Sequence, residues 1–315
     1  MGRLIFVPQF PTPLRYQSWW FSVFEKEFKK YFDEVVVIGK SYCNPPIIDL
    51  KDKSMFSPIE HAINFETSQI TEYLNLNICH DDTLFLSDIS FPGVFCNVLY
   101  HKPCPKMFAF CHATSLNKYD YFAHVRKSKF KIESTHASMF DKVFFGSNYS
   151  LRKTGWKNGV VVYLPSPPIS IIQKLNVKRD IPIVSVCRPN IQKVNKKLEK
   201  LVEKSLGIKV YREEVKTWFE YSNLLSRSKI NLISSKEETF NYSIIDSIEC
   251  GCIPIVPNTL CFPEILPEHR RYKTNTELIN MLRYILTYDI YTSPVILCQY
   301  EIDNFYKNMI EIMLK

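Results

Sequence analysis

Two acids with seven residues between them, Glu238 and Asp246, form the most informative pair in the chain. The apolar run 230–233 ends in the polar loop that carries Glu238, and the loop leads into an amphipathic helix that stops at Gly251. The first backbone N–H groups of a helix have no intrahelical partner and favour an anion. Carboxylates beside that point accept hydrogen bonds from sugar hydroxyls. The spacing therefore predicts a site for a phosphorylated ligand that carries hydroxyl groups.

Two basic residues follow an earlier apolar run in the same half of the chain. Residues 181–186 read as a strand, and Arg188 and Lys193 come after it, five positions apart. An arginine fork and a compact lysine charge both neutralise phosphate oxygens and a departing nucleotide. The alternative is the basic edge of a solvated helix, because further lysines follow at Lys196, Lys197, Lys200 and Lys204.

Together the two motifs resemble the donor site of the GT-B glycosyltransferases, of the family 4 and family 1 type. In these enzymes an acid, seven residues and a second acid precede a Gly-x-x-Pro turn, which here is Gly251 to Pro254. The resemblance covers most of the chain and is strongest over residues 181–267. Many members have glycine at the positions of Thr239 and Asn241, and this chain has neither glycine.

The resemblance implies a role for each matched residue. Arg188 and Lys193 would bind the donor diphosphate. Glu238 would bind the sugar, close to the reaction, and Asp246, which is glutamate in many members, would bind the nucleotide ribose. The loop between the acids would cap the helix and bind the donor through Thr239, Phe240, Asn241 and Tyr242.

The resemblance also implies an α/β fold of two Rossmann-like domains facing across a cleft. The acceptor domain would span residues 1–165, the nucleotide-sugar domain 166–300, and a closing helix 301–315. The activity implied is that of a hexosyl- or pentosyltransferase acting on a UDP- or GDP-sugar co-substrate, with no tightly bound cofactor and no metal. Two alternatives are a catalytically silent module of this fold that binds nucleotide or nucleic acid, and a Rossmann-like protein that binds a phosphorylated metabolite.

The elements that must position these residues alternate in both halves of the chain, which is typical of parallel sheets covered by helices. Strands are predicted in the first half at 4–7, 35–38, 83–86, 107–110, 142–145 and 160–163, and helices at 17–31, 58–74, 93–100 and 121–139. The second half predicts strands at 181–186, 208–211 and 230–233 and helices at 193–205, 215–226, 276–286 and 302–314. Ligand sites in such sheets gather where strands end.

Strand ends in the first half offer two candidates for the residue that takes the proton from an acceptor hydroxyl. Asp88 follows the run 83–86, and His112 follows the run 107–110. A carboxylate or an imidazole performs that step in an inverting transfer, whereas in a retaining transfer His112 would hydrogen-bond the donor sugar. Asp120 is a third and weaker candidate for contact with the acceptor. Either of the first two residues has an ordinary alternative as a loop cap.

The loop after the first strand contributes further acceptor candidates. Arg15 offers a charge, and Tyr16 and Trp19 offer stacking faces for a nucleotide or a carbohydrate ring. The alternative is that Trp19 and Trp20 simply pack the first helix.

Basic residues also concentrate in the stretch 118–157, which has nine Lys or Arg against three acids. Such a stretch suits a phosphate backbone, an anionic lipid surface or plain solvent. Phage enzymes that glycosylate hydroxymethylated DNA bases share the GT-B architecture, so a DNA base is one predicted acceptor. A cell-surface glycan or lipid is the other.

The composition of the chain limits the number of domains, the kind of partner and the compartment. The 315 residues exceed one typical core and predict two domains, and 40 basic against 32 acidic residues give a net charge of +8 that suits an anionic partner. The ten cysteines show no Cys-x-x-Cys pair, the N-terminus reads as a strand rather than a signal peptide, and no apolar run reaches the length of a membrane span. These features predict a cytoplasmic enzyme, in a host cytoplasm if phage-encoded. Sugar, nucleotide and oligomeric state stay open.

Overall fold

The computed structural model describes residues 2–11, 14–39, 59–89, 93–119, 125–186, 193–288 and 302–315. The chain divides into two compact units, which are Met1–Leu164 with Asp303–Lys315, and Pro165–Ile302. The sequence placed its first boundary between residues 165 and 166. Each unit contains one parallel sheet with helices packed on it, which confirms the predicted α/β class with two Rossmann-like sheets.

The first unit is built on a six-stranded sheet in the order β2-β1-β3-β4-β5-β6. Its strands are β1 (Arg3–Val7), β2 (Glu34–Val37), β3 (Thr83–Leu86), β4 (Lys106–Cys111), β5 (Lys142–Phe145) and β6 (Gly159–Val161). Its helices are α1 (Tyr16–Phe28), α2 (Ile59–Asn75), α3 (Gly93–His101), α4 (Arg126–Ala137) and α5 (Asn148–Thr154), with α11 (Ile302–Met313) from the end of the chain. From β1 the chain first adds β2 on one side and then β3 on the other side. This is a topological switch point, so a crevice is expected at the carboxyl ends of β1 and β3.

The second unit is built on a four-stranded parallel sheet in the order β10-β9-β8-β7. Its strands are β7 (Ile181–Val184), β8 (Ser228–Leu232), β9 (Ile253–Pro257) and β10 (Arg271–Tyr272). Its helices are α6 (Lys196–Leu206), α7 (Trp218–Arg227), α8 (Tyr242–Glu249), α9 (Phe262–Ile265) and α10 (Asn275–Tyr288). Tyr211 makes a single parallel bridge to Val184 on the side of β7 that faces away from β8. The order of the strands therefore switches sides between β7 and β8, as it does between β1 and β3.

Both faces of the first sheet are buried, which explains its nearly continuous apolar strands. One face carries Ile5, Leu84 and Val143 among other aliphatic side chains. The opposite face is aromatic, and Phe6 lies 5.9 Å from Phe85 and 5.6 Å from Phe24 of α1 between ring centroids. Side chains alternate between the faces because the strand has a period of two residues.

The C-terminal helix completes this aromatic face. Phe305 of α11 lies 5.8 Å from Phe24 and 6.1 Å from Trp20 between ring centroids, and Tyr306 lies 5.1 Å from Phe24. Phe305 and Tyr306 are fully buried. The last thirteen residues therefore pack in the first unit, far along the chain from the strands that they cover.

Helix ends in the second unit follow from local sequence. Thr217 and Glu220 form a reciprocal capping box at the start of α7. Gly251 ends α8 with φ +72°, and the Arg179 guanidinium donates to its carbonyl oxygen. A Cβ at this glycine would lie 2.5 Å from the terminal nitrogen of Arg179, a flexible side chain that can shift, so it is the left-handed backbone conformation that requires glycine.

Several element boundaries differ from the sequence predictions by a few residues, and two predicted elements differ more clearly. Residues 208–211, predicted as a strand, form only the bridge at Tyr211. The helix predicted from residue 121 is described from Arg126 onwards, and residues 121–124 lie outside the described ranges. Within the described helices, none is long and apolar enough to cross a membrane.

We predict that Phe305→Ala destabilises the first unit by about 3–5 kcal/mol, because it removes a buried ring from an aromatic cluster. Denaturant unfolding followed by tryptophan fluorescence measures the effect, since Trp19 and Trp20 lie in this core. The matched control is Asn308→Ala on the exposed face of the same helix, for which a change within about 0.5 kcal/mol is expected. Equal midpoints for the two variants would contradict the assignment of α11 to this core.

Candidate functional site

In the second unit, two segments that follow β7 and β8 pair with each other. Val194 and Ser235 form an antiparallel bridge. The Lys236 N–H donates to the Lys193 carbonyl oxygen at 2.8 Å, and the Asn195 N–H donates to the Ser234 carbonyl oxygen at 3.0 Å. This pairing places the backbone of Lys193 beside the loop that leads to Glu238. Arg188, the other predicted phosphate ligand, lies outside the described residues.

A buried carboxylate fastens the base of this loop pair. Glu199 of α6 accepts hydrogen bonds from the hydroxyls of Ser234 at 2.6 Å and Ser185 at 3.1 Å. Arg212, which follows the bridge at Tyr211, donates to both carboxylate oxygens at 2.5 and 3.2 Å. Charge-assisted bonds of this kind compensate for burying the carboxylate. The sequence reasoning missed Glu199 and Arg212. The only signal for Glu199 was its place as an acid in a lysine-rich helix, and the only signal for Arg212 was its place directly after the predicted strand 208–211.

The loop between the two predicted acids is partly buried. Glu238 and Thr239 are half-buried, Phe240 is buried, and the Phe240 ring lies 5.4 Å from that of Tyr242. Asn241 occupies the N-cap position of α8, but its side chain makes no capping bond to the helix backbone and accepts instead from the Ser243 hydroxyl at 2.5 Å. The predicted loop residues thus lie together at the start of α8.

Asp246 lies deeper than its predicted contact with a ribose suggests. Its side chain is only 4% exposed, and its Oδ2 accepts a hydrogen bond from the Tyr221 hydroxyl of α7 at 3.1 Å. Its Oδ1 has no partner among the described residues. Burial disfavours the charged form and raises the pKa of Asp246 to about 8. At neutral pH this carboxyl group therefore carries a proton for most of the time.

In the first unit, polar side chains converge at the carboxyl ends of β1 and β3, where the topology predicts a crevice. Gln9, directly after β1, donates from its side-chain amide to Asp88 Oδ2 at 2.7 Å and from its backbone to the Ser87 hydroxyl at 2.8 Å. The Tyr16 hydroxyl donates to Gln9 Oε1 at 3.0 Å. Asp88 and Tyr16, predicted separately, are thus joined through Gln9, a residue that the sequence reasoning did not select.

His112 lies at the same edge of the sheet. Its Nε2 lies 3.1 Å from the Ser87 carbonyl oxygen, which only accepts, so we assign the N–H to this nitrogen. The rings of Tyr16, Phe110 and Trp20 lie 4.3, 4.6 and 4.7 Å from the imidazole between centroids. These apolar surroundings lower the pKa of His112 to about 3, although the side chain keeps some exposed surface. His112 is therefore neutral across the physiological range.

The remaining acceptor candidates separate into three groups. Arg15 and Tyr16 are half-buried at the start of α1. Trp19 and Trp20 are each 2% exposed, so Trp19 presents no ring face to a ligand and packs the core instead. Asp120 lies outside the described residues.

No family model matches the chain. A stretch of 99 residues is 31% identical to tRNA-queuosine alpha-mannosyltransferase of Drosophila melanogaster, and it covers 31% of this chain. The chain thus matches about a quarter, 26%, of the length of that curated relative.

Several solved structures are similar along the whole chain. Anabaena HepE, solved with UDP and glucose, is 11% identical with a TM-score of 0.68 and covers 99% of each chain. Sucrose-phosphate synthase from Thermosynechococcus elongatus is 11% identical with a TM-score of 0.70 and covers 99% of this chain and 98% of its own. The lipopolysaccharide outer core galactosyltransferase WaaB is 12% identical with a TM-score of 0.59 and covers 100% and 99%. These similarities confirm the GT-B fold that the motifs predicted.

We predict that Asp246→Asn changes how stability depends on pH. The folded chain ionises Asp246 near pH 8 and the unfolded chain near pH 4, so raising the pH between these values favours unfolding. Asparagine does not ionise, so the variant does not lose stability in this way as the pH rises. It should be more stable than the wild type at pH 8, by about 5 kcal/mol at most, and the two should converge near pH 4. Denaturant unfolding at pH 4.5, 6 and 8 measures the difference.

The control for this prediction is Tyr221→Phe, which removes the hydroxyl but keeps the ionisable acid. Its stability should still fall as the pH rises, and because the hydroxyl bond that it loses lowers the pKa of Asp246, the fall should extend to higher pH than in the wild type. Parallel stability profiles for Asp246→Asn and the wild type would show that the acid does not titrate in this way.

Proposed function

We propose that the chain is a glycosyltransferase that transfers a sugar from a nucleotide diphosphate-sugar to a hydroxyl group. The observation that supports this most is the backbone pairing that holds Lys193 beside the loop of Glu238 at the start of α8. A cation, a carboxylate and a helix N-terminus are the groups that bind a diphosphate and a sugar. HepE, which has the same fold, was solved with UDP and glucose.

In this proposal residues of the second unit bind each part of the sugar donor. Lys193 and Arg188 neutralise the diphosphate and stabilise the negative charge of the departing nucleotide. Glu238 accepts hydrogen bonds from sugar hydroxyls, and the loop 239–242 presents backbone amides. Asp246 binds the ribose. Because its pKa is about 8, it donates one hydrogen bond to a ribose oxygen while it accepts one from Tyr221.

The acceptor hydroxyl is activated in the first unit. An inverting transfer needs a base that takes the hydroxyl proton. A pKa of about 3 makes His112 a weak base, and its Nε2–H donates to the Ser87 carbonyl oxygen. Asp88 is only 3% exposed, but its carboxylate lies at the strand end and is oriented by the Gln9 amide. We therefore assign the base to Asp88 and substrate positioning to His112, Arg15 and Tyr16.

The acceptor is proposed to be a nucleoside hydroxyl in a nucleic acid. The Drosophila relative is named for queuosine in tRNA, and the stretch 118–157 of this chain is strongly basic. The relative favours RNA over the DNA base that the sequence alone suggested, and none of the proteins compared above is named for DNA or a phage. WaaB, named for lipopolysaccharide, keeps a glycan or lipid acceptor as the second candidate.

For the donor site, we predict that Lys193→Ala and Glu238→Ala each weaken donor use by about 10- to 100-fold, because each removes a hydrogen bond to or from a charged group. Release of sugar from UDP- and GDP-sugars and the nucleotide-induced rise in melting temperature measure this effect. The matched control is Lys200→Ala, an exposed lysine one turn into α6, which should behave as the wild type. Equal turnover in all three variants would remove the assigned site, and nucleotide binding without sugar release would favour a silent module.

For the acceptor site, we predict that Asp88→Asn lowers the transfer rate by about 100- to 10,000-fold, since the amide still accepts from Gln9 but takes no proton. The rate of transfer to a small hydroxyl acceptor measures the loss. Asp303→Asn, an exposed acid of the same unit, is the control. A full transfer rate in Asp88→Asn would contradict the assignment of the base.

A further inference from the structure

Exposed cations gather at one edge of the first sheet. Strands β4 and β5 are neighbours, and the segments that follow their carboxyl ends carry a group of basic residues that we name the carboxyl-edge cluster: Lys118, Arg126, Lys127, Arg152 and Lys153. All are exposed except Lys153, which is half-buried. Three separate stretches of chain therefore contribute positive charge to one edge.

Hydrogen bonds hold these stretches together. Lys153 Nζ donates to Asn117 Oδ1 at 2.6 Å, which ties α5 to the loop after β4. The Ser115 hydroxyl donates to the Arg126 carbonyl oxygen at 3.0 Å, which ties the same loop to the start of α4. The charges are thus placed by a defined structure and not by long side chains alone.

The two acids in the described part of this stretch make contacts outside the cluster. Glu133 is buried, accepts from the Ser115 N–H at 3.0 Å and lies 3.7 Å from Lys129 Nζ. Asp141 is placed at the opposite, amino edge of the sheet, where its Oδ2 accepts from the Met107 N–H at 2.8 Å. Within the described residues of 112–157, these two are the only acids.

The start of α4 shows that this charge carries a cost for the free protein. Arg126 and Lys127 occupy its first two positions, and its first turn holds no acid. The helix dipole disfavours cations at a helix N-terminus. An anion bound at this edge would convert the unfavourable placement into a favourable one.

Aromatic rings lie among these cations and indicate the kind of anion. Lys118 Nζ is 5.4 Å from the Tyr119 ring centroid, and Lys153 Nζ is 5.8 Å from that of Tyr149. Both rings are half-buried. Cations interleaved with aromatic rings suit a phosphate backbone whose bases stack, whereas a lipid surface needs only the charge.

We propose that the carboxyl-edge cluster is a docking surface for the phosphodiester backbone of a nucleic acid acceptor. The surface begins in the loop 112–119, which starts at His112, so it would hold phosphates next to the proposed acceptor site. The inference rests on the proposed function for its biological purpose, but binding at this surface requires no sugar donor.

The same unit contains a matched set of control charges. Lys106, Lys142 and Lys157 are exposed and lie at or just before the starts of β4, β5 and β6, at the amino edge of the sheet. Replacing three lysines there changes the net charge as much as replacing Lys118, Arg126 and Lys127. A difference between the two triple variants therefore reports position and not overall charge.

The test measures binding of labelled unfractionated tRNA, and of duplex DNA of similar length, to the full chain from 50 to 200 mM salt without a sugar donor. We expect K118Q/R126Q/K127Q to bind tRNA at least about tenfold more weakly than the wild type at 100 mM salt. The slope of log affinity against log salt should also fall by about 2–3. K106Q/K142Q/K157Q should stay within about twofold of the wild type, and thermal unfolding of all variants checks that they are folded.

The outcomes separate this inference from the proposed function. Equal losses in the two triple variants, or no binding of either nucleic acid by the wild type, would overturn the docking surface whatever the enzyme assays show. Binding of phosphatidylserine vesicles but not of tRNA or DNA through the carboxyl edge would assign the surface to lipid and overturn it as well. Binding lost only in the carboxyl-edge variant, with no sugar transfer by the wild type, would sustain the surface and remove the transferase. Stronger retention on tRNA than on DNA identifies RNA as the source of the phosphates.

Discussion

In each unit, two neighbouring parallel strands continue into segments that leave the sheet in opposite directions. The pairs are β1 with β3 and β7 with β8, and their parallel ladders bring the residues after both strands to one edge. Gln9 meets Ser87 and Asp88 in the first unit for this reason, and in the second unit Ser185 and Ser234 both donate to Glu199. The polar chemistry of the molecule depends on this constraint, because hydrogen bonds saturate the strands themselves and leave only their ends open.

Buried carboxyl groups then set the shape of the loops at these edges. Glu199 gathers two serines and Arg212 beneath the loop pair of the second unit, and Glu133 holds Ser115 in the loop that follows His112. Each such group costs desolvation energy and is offset by charge-assisted bonds. Asp246 is different, since it accepts one bond from the neutral Tyr221 hydroxyl and its Oδ1 has no partner among the described residues. A buried acid with spare hydrogen-bonding capacity is more readily explained by a ligand than by stability.

Local sequence predicted some of these features and missed others for identifiable reasons. The strand 83–86 and the strand 142–145 agree with the structure because they are short apolar runs with clear polar ends. The short helix α5 was not predicted, since seven residues carry too little periodicity, although Ser147 caps it and Gly155 ends it. Trp19 was ambiguous in sequence because stacking on a ligand and packing in a core need the same ring. Its burial beside Trp20 resolved the question.

The sequence by itself determined the α/β class, the order of most elements and the loop of Glu238 to Asp246, because strand patterns, helix caps and the Gly251 turn are local signals. It also placed Asp88 and His112 at strand ends. Only the tertiary structure decided that Gln9 joins Asp88 to Tyr16, that three aromatic rings keep His112 neutral, and that the cations after β4 and β5 share one edge. Apart from Phe110, which lies close to His112 in sequence, those relations link residues that lie from seven to about a hundred positions apart. No local pattern encodes contacts that arise only when strands pair.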